Sequence, residues 1–213
     1  MQAVPTFAMM KVNLSRWMTG SGAMKVFKAS LATCILILVL ASMLFAVEIK
    51  GVRFAEQLPV ESIELHLTGV AVLKWAMLFD VYAGAFYLPA GHNPAAWAAD
   101  VAKRLELSYF REIAGQGFAD ASIKLLRESL AADDYAAIKE RLFTFCALFR
   151  DVRPGDRYSI TYRPGIGTEL RLNDRILGAA PGADFATAYF GIWLGDQPIS
   201  ARFRDRLLDN GRD

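Results

Sequence analysis

The chain has 213 residues and a formal net charge of +2, from 24 basic and 22 acidic residues. Four basic residues and no acidic residue lie in residues 1–46, so the remaining part carries 20 − 22 = −2. Proteins that bind nucleic acids usually carry a basic patch or stripe. The composition therefore argues against a nucleic-acid partner and indicates one domain of ordinary size after residue 46.

The first predicted element is an export signal in residues 1–46. A basic stretch leads into the uncharged, apolar run 29–47, the order that is typical of a signal peptide. The part that begins at Met24 would suffice, which makes Met24 an alternative start. Cleavage after Ala46 would release a periplasmic domain, 47–213, whereas an uncleaved run of about 19 residues would anchor it to the inner membrane.

Alternating polar and apolar residues then predict a short strand over 47–54, a turn over 56–59 and two long strands within 62–89. The apolar residues of the first long strand occupy odd positions, so we expect them to share one face: Ile63, Leu65, Leu67, Ala71 and Leu73. The second long strand is apolar on both faces, as a central strand is. Asp80 and Tyr82 in it are either paired with a neighbour or placed for a ligand.

The rest of the chain predicts helices and a meander of antiparallel strands. Helices are expected over 94–103, 118–131, 134–149, 181–193 and 200–208. Strands are expected over 104–110, 158–162, 168–172 and 175–178. This order predicts an α+β domain, a mostly antiparallel sheet with a helical layer on one face.

Three motifs give the sequence a resemblance to a known family: LTGVAVLKW, LFDVYAGAFYLP and FATAYFGIWLGDQP. In this order and at this spacing they resemble the chalcone isomerase family, and most closely its bacterial exported branch, over residues 47–208. The resemblance implies the open-faced β-sandwich of that family. It also implies a ligand cleft between the sheet and the helices.

In the catalytic members of that family an arginine, a threonine and a tyrosine surround the substrate ketone, where a cation and hydroxyls stabilise developing negative charge. The resemblance places Leu73 or Lys74 at the arginine, Tyr82 at the threonine and Phe118 at the tyrosine. A lysine lacks the bidentate fork of arginine, tyrosine is bulkier than threonine, and Phe118 has no hydroxyl. These departures argue against the isomerisation of chalcones.

Non-catalytic members of the wider family bind fatty acids, so the resemblance implies an amphipathic carboxylate as the ligand. We expect burial to hold its tail and a charge-assisted hydrogen bond to hold its head group. The candidate ligand-binding residues are Lys74, Tyr82, Tyr109, Phe118 and Trp193. Lys74 can equally be interpreted as a solvated residue. The aromatic candidates can be interpreted as core residues. Arg111 is a second candidate cation.

Two other classes of function stay open. An isomerase or intramolecular lyase that acts on another substrate would need Tyr109 or Thr187 to supply the missing hydroxyl. An envelope protein that acts through a protein partner would expose a large apolar patch. No metal or cofactor is predicted, because the two histidines, His66 and His92, lie far apart in different contexts and no phosphate loop is present.

Overall fold

The computed structural model of the protein describes residues 46–76 and 78–209. The predicted signal, the alternative start at Met24 and the choice between cleavage and anchoring concern the chain before these residues and lie outside them. Within the described part of the chain, none of the helices combines the length and the hydropathy needed to cross a bilayer.

In the described residues, nine strands make up a two-stranded hairpin and one larger sheet. The strands are β1 (Ala46–Ile49), β2 (Val52–Ala55), β3 (Gln57–Val60), β4 (Ile63–Trp75), β5 (Phe79–Pro89), β6 (Lys103–Tyr109), β7 (Arg157–Arg163), β8 (Gly167–Leu172) and β9 (Arg175–Ala180). Strands β1 and β2 pair with each other and form the hairpin. Strands β3 to β9 follow one another in chain order, and each neighbouring pair is antiparallel.

Four α-helices follow the long strands in the described residues. They are α1 (Gly115–Ser129), α2 (Ala132–Cys146), α3 (Ala183–Leu194) and α4 (Ala201–Leu207). The helix predicted over 94–103 is instead a single 3-10 turn, Pro94–Ala96. The Asn93 side chain caps this turn as predicted, since its Oδ1 accepts from the backbone N–H of Ala95 at 3.0 Å.

The sheet separates two hydrophobic cores. The helices pack on one face, where the larger core includes the strand residues Leu73, Tyr82, Phe86, Leu105 and Leu107. The β1–β2 hairpin lies on the other face, where the smaller core contains Phe54, Leu65, Ala83, Ala85 and Tyr87. Because β5 contributes side chains to both cores, the prediction of a central strand covered on both sides is confirmed, as is an α+β sheet with helices layered on one face.

A bulge at Thr68 changes which side of the sheet the residues of β4 occupy. Leu67 lies opposite Tyr87, and Gly69 lies opposite Phe86, so Thr68 is the extra residue. Such an insertion moves the following side chains across the sheet. Leu65 therefore belongs to the hairpin-side core, while Leu73 belongs to the helix-side core. The prediction that all odd positions share one face was wrong for this reason.

Two local predictions near the start of the sheet were also wrong. The segment predicted as one strand, 47–54, is the β1–β2 hairpin, because Lys50 and Gly51 both have positive φ (53° and 76°), as a tight hairpin turn requires. The predicted turn over 56–59 contains most of strand β3. Pro59 is compatible with β3 because this is an edge strand.

Candidate functional site

Three of the predicted site residues lie side by side on neighbouring strands. Leu73 on β4 is the register partner of Tyr82 on β5, and Tyr82 is the partner of Tyr109 on β6. All three belong to the helix-side core. Trp193 on α3 belongs to the same core, and Phe118 on α1 packs against it. We call these five residues the aromatic layer.

The aromatic layer is held together by ring contacts and one hydrogen bond. Tyr82 and Tyr109 meet edge to face with ring centroids 5.4 Å apart, and Tyr109 meets Phe118 at 5.3 Å. The indole Nε1 of Trp193 donates to the Tyr82 hydroxyl at 2.9 Å. Edge-to-face pairs at such distances are favourable beyond the area they bury. The fold thus brings together residues that are up to 120 positions apart in the sequence, Leu73 and Trp193 (193 − 73).

The phenols of the layer are neutral hydrogen-bond donors. Burial raises the pKa of Tyr82, and burial together with the neighbouring phenols raises that of Tyr109. The Tyr82 hydroxyl accepts from Trp193 and so keeps its own proton for donation. Tyr109 is only 3% exposed, and its ring is enclosed by those of Tyr82, Phe118 and Tyr158. Each phenol can therefore donate to a polar group that reaches it.

Lys74 lies apart from the aromatic layer. It follows Leu73 on β4, so its side chain points to the opposite face of the sheet. Its Nζ lies 3.0 Å from Oδ1 of Asp80, and Lys50 Nζ lies 3.3 Å from the other carboxylate oxygen. The hydrogen bond from Lys74 is the main cause of the lowered pKa of Asp80. Asp80 is thus paired with a neighbour, one of the two predicted alternatives.

The remaining candidates also lie outside the layer. Arg111 donates from Nε to the carbonyl oxygen of Asp80 at 3.0 Å, and its guanidinium lies 4.8 Å from the centre of the Phe79 ring. Thr187 lines a groove of about 610 Å³ between α2, α3 and the 3-10 turn. Its hydroxyl lies 3.4 Å from the carbonyl oxygen of Ala98. The resemblance placed either Leu73 or Lys74 at the position of the family's arginine. Of these two residues, Leu73 lies in the aromatic layer, and its side chain is apolar.

A buried lysine was missed by the sequence reasoning. Lys103 is 1% exposed, and its Nζ donates to the carbonyl oxygens of Trp97 at 2.6 Å and Ala99 at 2.8 Å. Burial lowers the pKa of this ammonium group to about 8. The sequence assigned Lys103 to a helix. Its odd position, shared with Leu105 and Tyr109, was the signal that could have placed it on the helix side of β6.

A second buried charge lies on the hairpin side of the sheet. Glu106 is 4% exposed and accepts from Nε of Arg104 and from Nη1 of Arg157, each at 2.9 Å. The guanidinium of Arg157 lies 4.7 Å from the Phe54 ring of the hairpin. The β1–β2 hairpin covers this face of β6, since Arg157 also donates to the carbonyl oxygen of Arg53 at 2.9 Å. Since each charge has a partner, we interpret this network as structural.

The fold and the buried layer define an α+β domain of the open-faced sandwich class. The chain belongs to the chalcone isomerase-like family, whose model matches residues 46–209. Among the solved structures with a similar fold is a fatty-acid binding protein from Arabidopsis thaliana, with a TM-score of 0.60 and 18% sequence identity over 78% of this chain and 96% of that chain. A search of curated proteins finds no significant match. In the described residues, no cluster of three or more potential ligands could hold a metal ion.

Proposed function

We propose that the protein binds a fatty acid or a similar amphipathic carboxylate between its sheet and its helices, without catalysing a reaction on it. The observation that carries this proposal is the pair of neighbouring phenols, Tyr82 and Tyr109, which lie buried among aromatic rings between the sheet and the helices. A ligand head group that reaches them would accept hydrogen bonds from neutral donors. The fatty-acid binding protein of similar fold supports the same class of ligand.

The phenols of Tyr82 and Tyr109 are the proposed contacts of the head group. Both remain neutral donors because burial raises their pKa values. They replace Lys74 in this role, since its ammonium group is paired with Asp80 on the other face of the sheet. A carboxylate that is buried without a cation binds more favourably when it is protonated. The affinity is therefore expected to rise as the pH falls through the pKa of the bound acid.

The rings of the layer are the proposed contacts of the apolar tail. Phe118 packs against Tyr109, Tyr158 and Phe149 with centroid distances of 5.3 to 5.5 Å. It is only partly buried, whereas Tyr109 is enclosed, so the layer reaches the surface at α1. Each methylene group of a tail buried there would contribute about 0.8 kcal/mol.

The absence of catalysis is proposed from the side chain at one position. The isomerase reaction moves negative charge onto a carbonyl oxygen, and a cation beside that oxygen lowers the barrier. Leu73 occupies this place in the layer, and the cation next to it in sequence lies on the opposite face. We therefore expect the protein to leave the uncatalysed rate of chalcone cyclisation unchanged.

Export to the periplasm of a bacterium is proposed from the sequence alone. The apolar run 29–47, with a basic stretch before it, supports either a cleaved signal or an anchor in the inner membrane. Native mass spectrometry of the chain from an exporting bacterial host tests both points. A chain that begins near Val47 would establish cleavage, and an adduct with the mass of a fatty acid would support the binding proposal.

Binding of palmitate to Tyr109→Phe and to the unsubstituted chain, measured by isothermal titration calorimetry, tests the head-group contact. We expect the loss of one hydroxyl to lower affinity by about tenfold, which corresponds to a hydrogen bond of about 1.4 kcal/mol. Tyr135→Phe is the matched control, because that hydroxyl lies on α2 and has no partner in the described residues. Cetyl alcohol, which lacks the carboxyl group, should bind more weakly than palmitate.

Two results would overturn the proposal. One is that palmitate does not bind to the unsubstituted chain. The other is that Tyr109→Phe and Tyr135→Phe bind palmitate equally well, since the head group would then not contact Tyr109.

A further inference from the structure

The turn between β4 and β5 exposes three large apolar side chains. Trp75 is 69% exposed, Leu78 is 77% exposed and Phe79 is 43% exposed. Trp75 and Phe79 stack with ring centroids 6.2 Å apart, so they form one continuous apolar surface. We call these three residues the tip. Isolated exposed apolar residues are ordinary, but a cluster at the end of a hairpin indicates a surface that binds something apolar.

Basic side chains surround the tip. Lys74 and Lys50 both lie within 3.3 Å of the Asp80 carboxylate, and Arg111 stacks on the Phe79 ring at 4.8 Å. Three positive charges against one carboxylate leave a net charge of +2 beside the tip. The exposed apolar surface is therefore bordered by side chains that attract a negatively charged partner.

We propose that the tip docks into the surface of an anionic lipid bilayer. Trp is favoured at the boundary between headgroups and hydrocarbon, and apolar side chains flanked by basic ones are typical of interfacial membrane contacts. Each basic residue close to anionic headgroups strengthens membrane binding about fivefold. The stacked rings of Trp75 and Phe79 enter the interface, and the ammonium and guanidinium groups bind the lipid phosphates.

The sequence before the described residues favours a bilayer over a protein partner. The apolar run 29–47 ends in β1, and the turn after β1 carries Lys50, whose ammonium lies next to Asp80 at the base of the tip. An uncleaved run would hold the chain at a bilayer, which is the kind of surface that the tip is proposed to bind. The tip is separate from the aromatic layer, so this proposal does not depend on the ligand.

A turn at the opposite end of the sheet provides a matched control. Ile166, in the turn between β7 and β8, is 58% exposed and is also apolar. The register of β5, β6 and β7 places this turn at the end of the sheet away from Tyr82 and the tip. A contact made by the tip should therefore protect position 78 and leave position 166 in water.

The test attaches an environment-sensitive fluorophore to Leu78→Cys or to Ile166→Cys in the full chain. The chain has two cysteines of its own, Cys34 and Cys146. Cys34→Ser removes the first, and the second is only 4% exposed. The Cys34→Ser chain without an introduced cysteine should therefore take up no label. The labelled chains are reconstituted into vesicles of phosphatidylglycerol and phosphatidylethanolamine, with or without brominated acyl chains. Vesicles of phosphatidylcholine serve as the uncharged comparison.

We expect the Leu78→Cys label to shift to the blue and to lose most of its fluorescence to brominated lipid, while the Ile166→Cys label does neither. The quenching should weaken in phosphatidylcholine and at about 1 M salt, where charges are screened beyond about 3 Å. Adding Trp75→Gln should reduce the quenching at position 78. Equal quenching of both labels, or none at position 78, would overturn the proposal. A blue shift without quenching by lipid would also overturn it, because protein, for example a second copy of this chain, would then cover the tip.

Discussion

The indole N–H of Trp193 on α3 donates to the hydroxyl of Tyr82 on β5 at 2.9 Å, across the interface between the helices and the sheet. Trp193 is 7% exposed and Tyr82 is 6% exposed, so neither group can exchange this partner for bulk water. The bond fixes α3 against the central strand. It also orients the Tyr82 ring, which meets both Tyr109 and Phe203 edge to face.

Removing the acceptor of this bond should destabilise the protein. Tyr82→Phe leaves the indole N–H buried and unpaired, for which we expect a loss of about 1–3 kcal/mol in the free energy of unfolding. Urea denaturation measures the loss. In a background that already carries Trp193→Phe, Tyr82→Phe should cost less, because no donor is then left without a partner. Equal losses in both backgrounds would show that the hydrogen bond does not contribute.

A methyl group at position 69 should displace helix α4. A Cβ on Gly69 would lie 2.2 Å from the carbonyl oxygen of Arg206 and 2.9 Å from that of Leu207. The adjacent Thr68 hydroxyl donates to the Leu207 carbonyl at 2.7 Å, and a shift of α4 would break this bond. We expect Gly69→Ala to cost about 1–3 kcal/mol.

The matched control for that change is Gly117→Ala on α1, where the nearest atom to a Cβ lies 3.7 Å away. Alanine favours a helix over glycine by up to about 1 kcal/mol, so this variant should be neutral or slightly more stable. Thermal unfolding compares the two. A Gly69→Ala variant as stable as the parent would contradict the close approach of β4 and α4.

The buried carboxylate of Glu106 should be essential for stability. Glu106→Gln removes the charge that pairs Arg104 and Arg157 beneath the β1–β2 hairpin, and breaking a buried pair in this way costs about 3–5 kcal/mol. Glu48→Gln is the control, since its pair with Arg53 is exposed and is expected to contribute less than about 1 kcal/mol. Urea midpoints of the two variants should differ clearly. Similar midpoints would mean that the network contributes little.

Lys103 should make stability depend on pH in the alkaline range. Its pKa in the folded protein is about 8, below the ordinary value of 10.5. Between these two values the unfolded chain binds the proton and the folded chain does not, so the stability conferred by this group rises with pH. Below about pH 8 both states are protonated, and the folded state bears the cost of the buried charge.

The comparison with Lys103→Met isolates this effect. We expect the difference in unfolding free energy, parent minus variant, to increase by about 3 kcal/mol at most from pH 8 to pH 10.5. Denaturant titrations at several pH values measure it, and other titrating groups cancel in the difference. A difference that is constant with pH would show that Lys103 keeps its ordinary pKa.

Lys74→Met tests which face of the sheet carries the ligand. Since the ammonium group of Lys74 lies against Asp80 on the face away from the aromatic layer, we expect its loss to leave palmitate affinity within about twofold of the parent. Isothermal titration calorimetry measures the affinity. A loss of tenfold or more would restore Lys74 as the head-group contact that the sequence suggested.

Most of the secondary structure could be predicted because its signals are local. The first long strand and the meander after Arg157 have a period of two, the second long strand is a continuous apolar run, and α1 and α2 have apolar residues at helical spacing. These patterns arise from neighbouring residues of one segment. The prediction of one strand over 47–54 was wrong, because the turn at Lys50 and Gly51 leaves no signal in the pattern of apolar residues.

The sequence could predict which residues belong to the site, but it could not predict how their side chains are arranged. The motifs singled out Leu73, Lys74, Tyr82 and Phe118, and the structure confirms the fold that these motifs predicted. It brings Leu73, Tyr82 and Phe118 into the same core region. The buried partners Lys103 and Glu106 were not foreseen, because their burial depends on segments that are distant in sequence.

By themselves, the sequence motifs indicated the family, and periodicity and composition indicated most of the strands and helices and the aromatic character of the interior, because these signals are local. Only the tertiary structure decided that Leu73 faces the helices while Lys74 faces Asp80. The physical reason is that side chains alternate along a strand, so the single extra residue at the Thr68 bulge moves every later side chain to the other face. That one-residue shift sets an apolar side chain, rather than a cation, beside Tyr82.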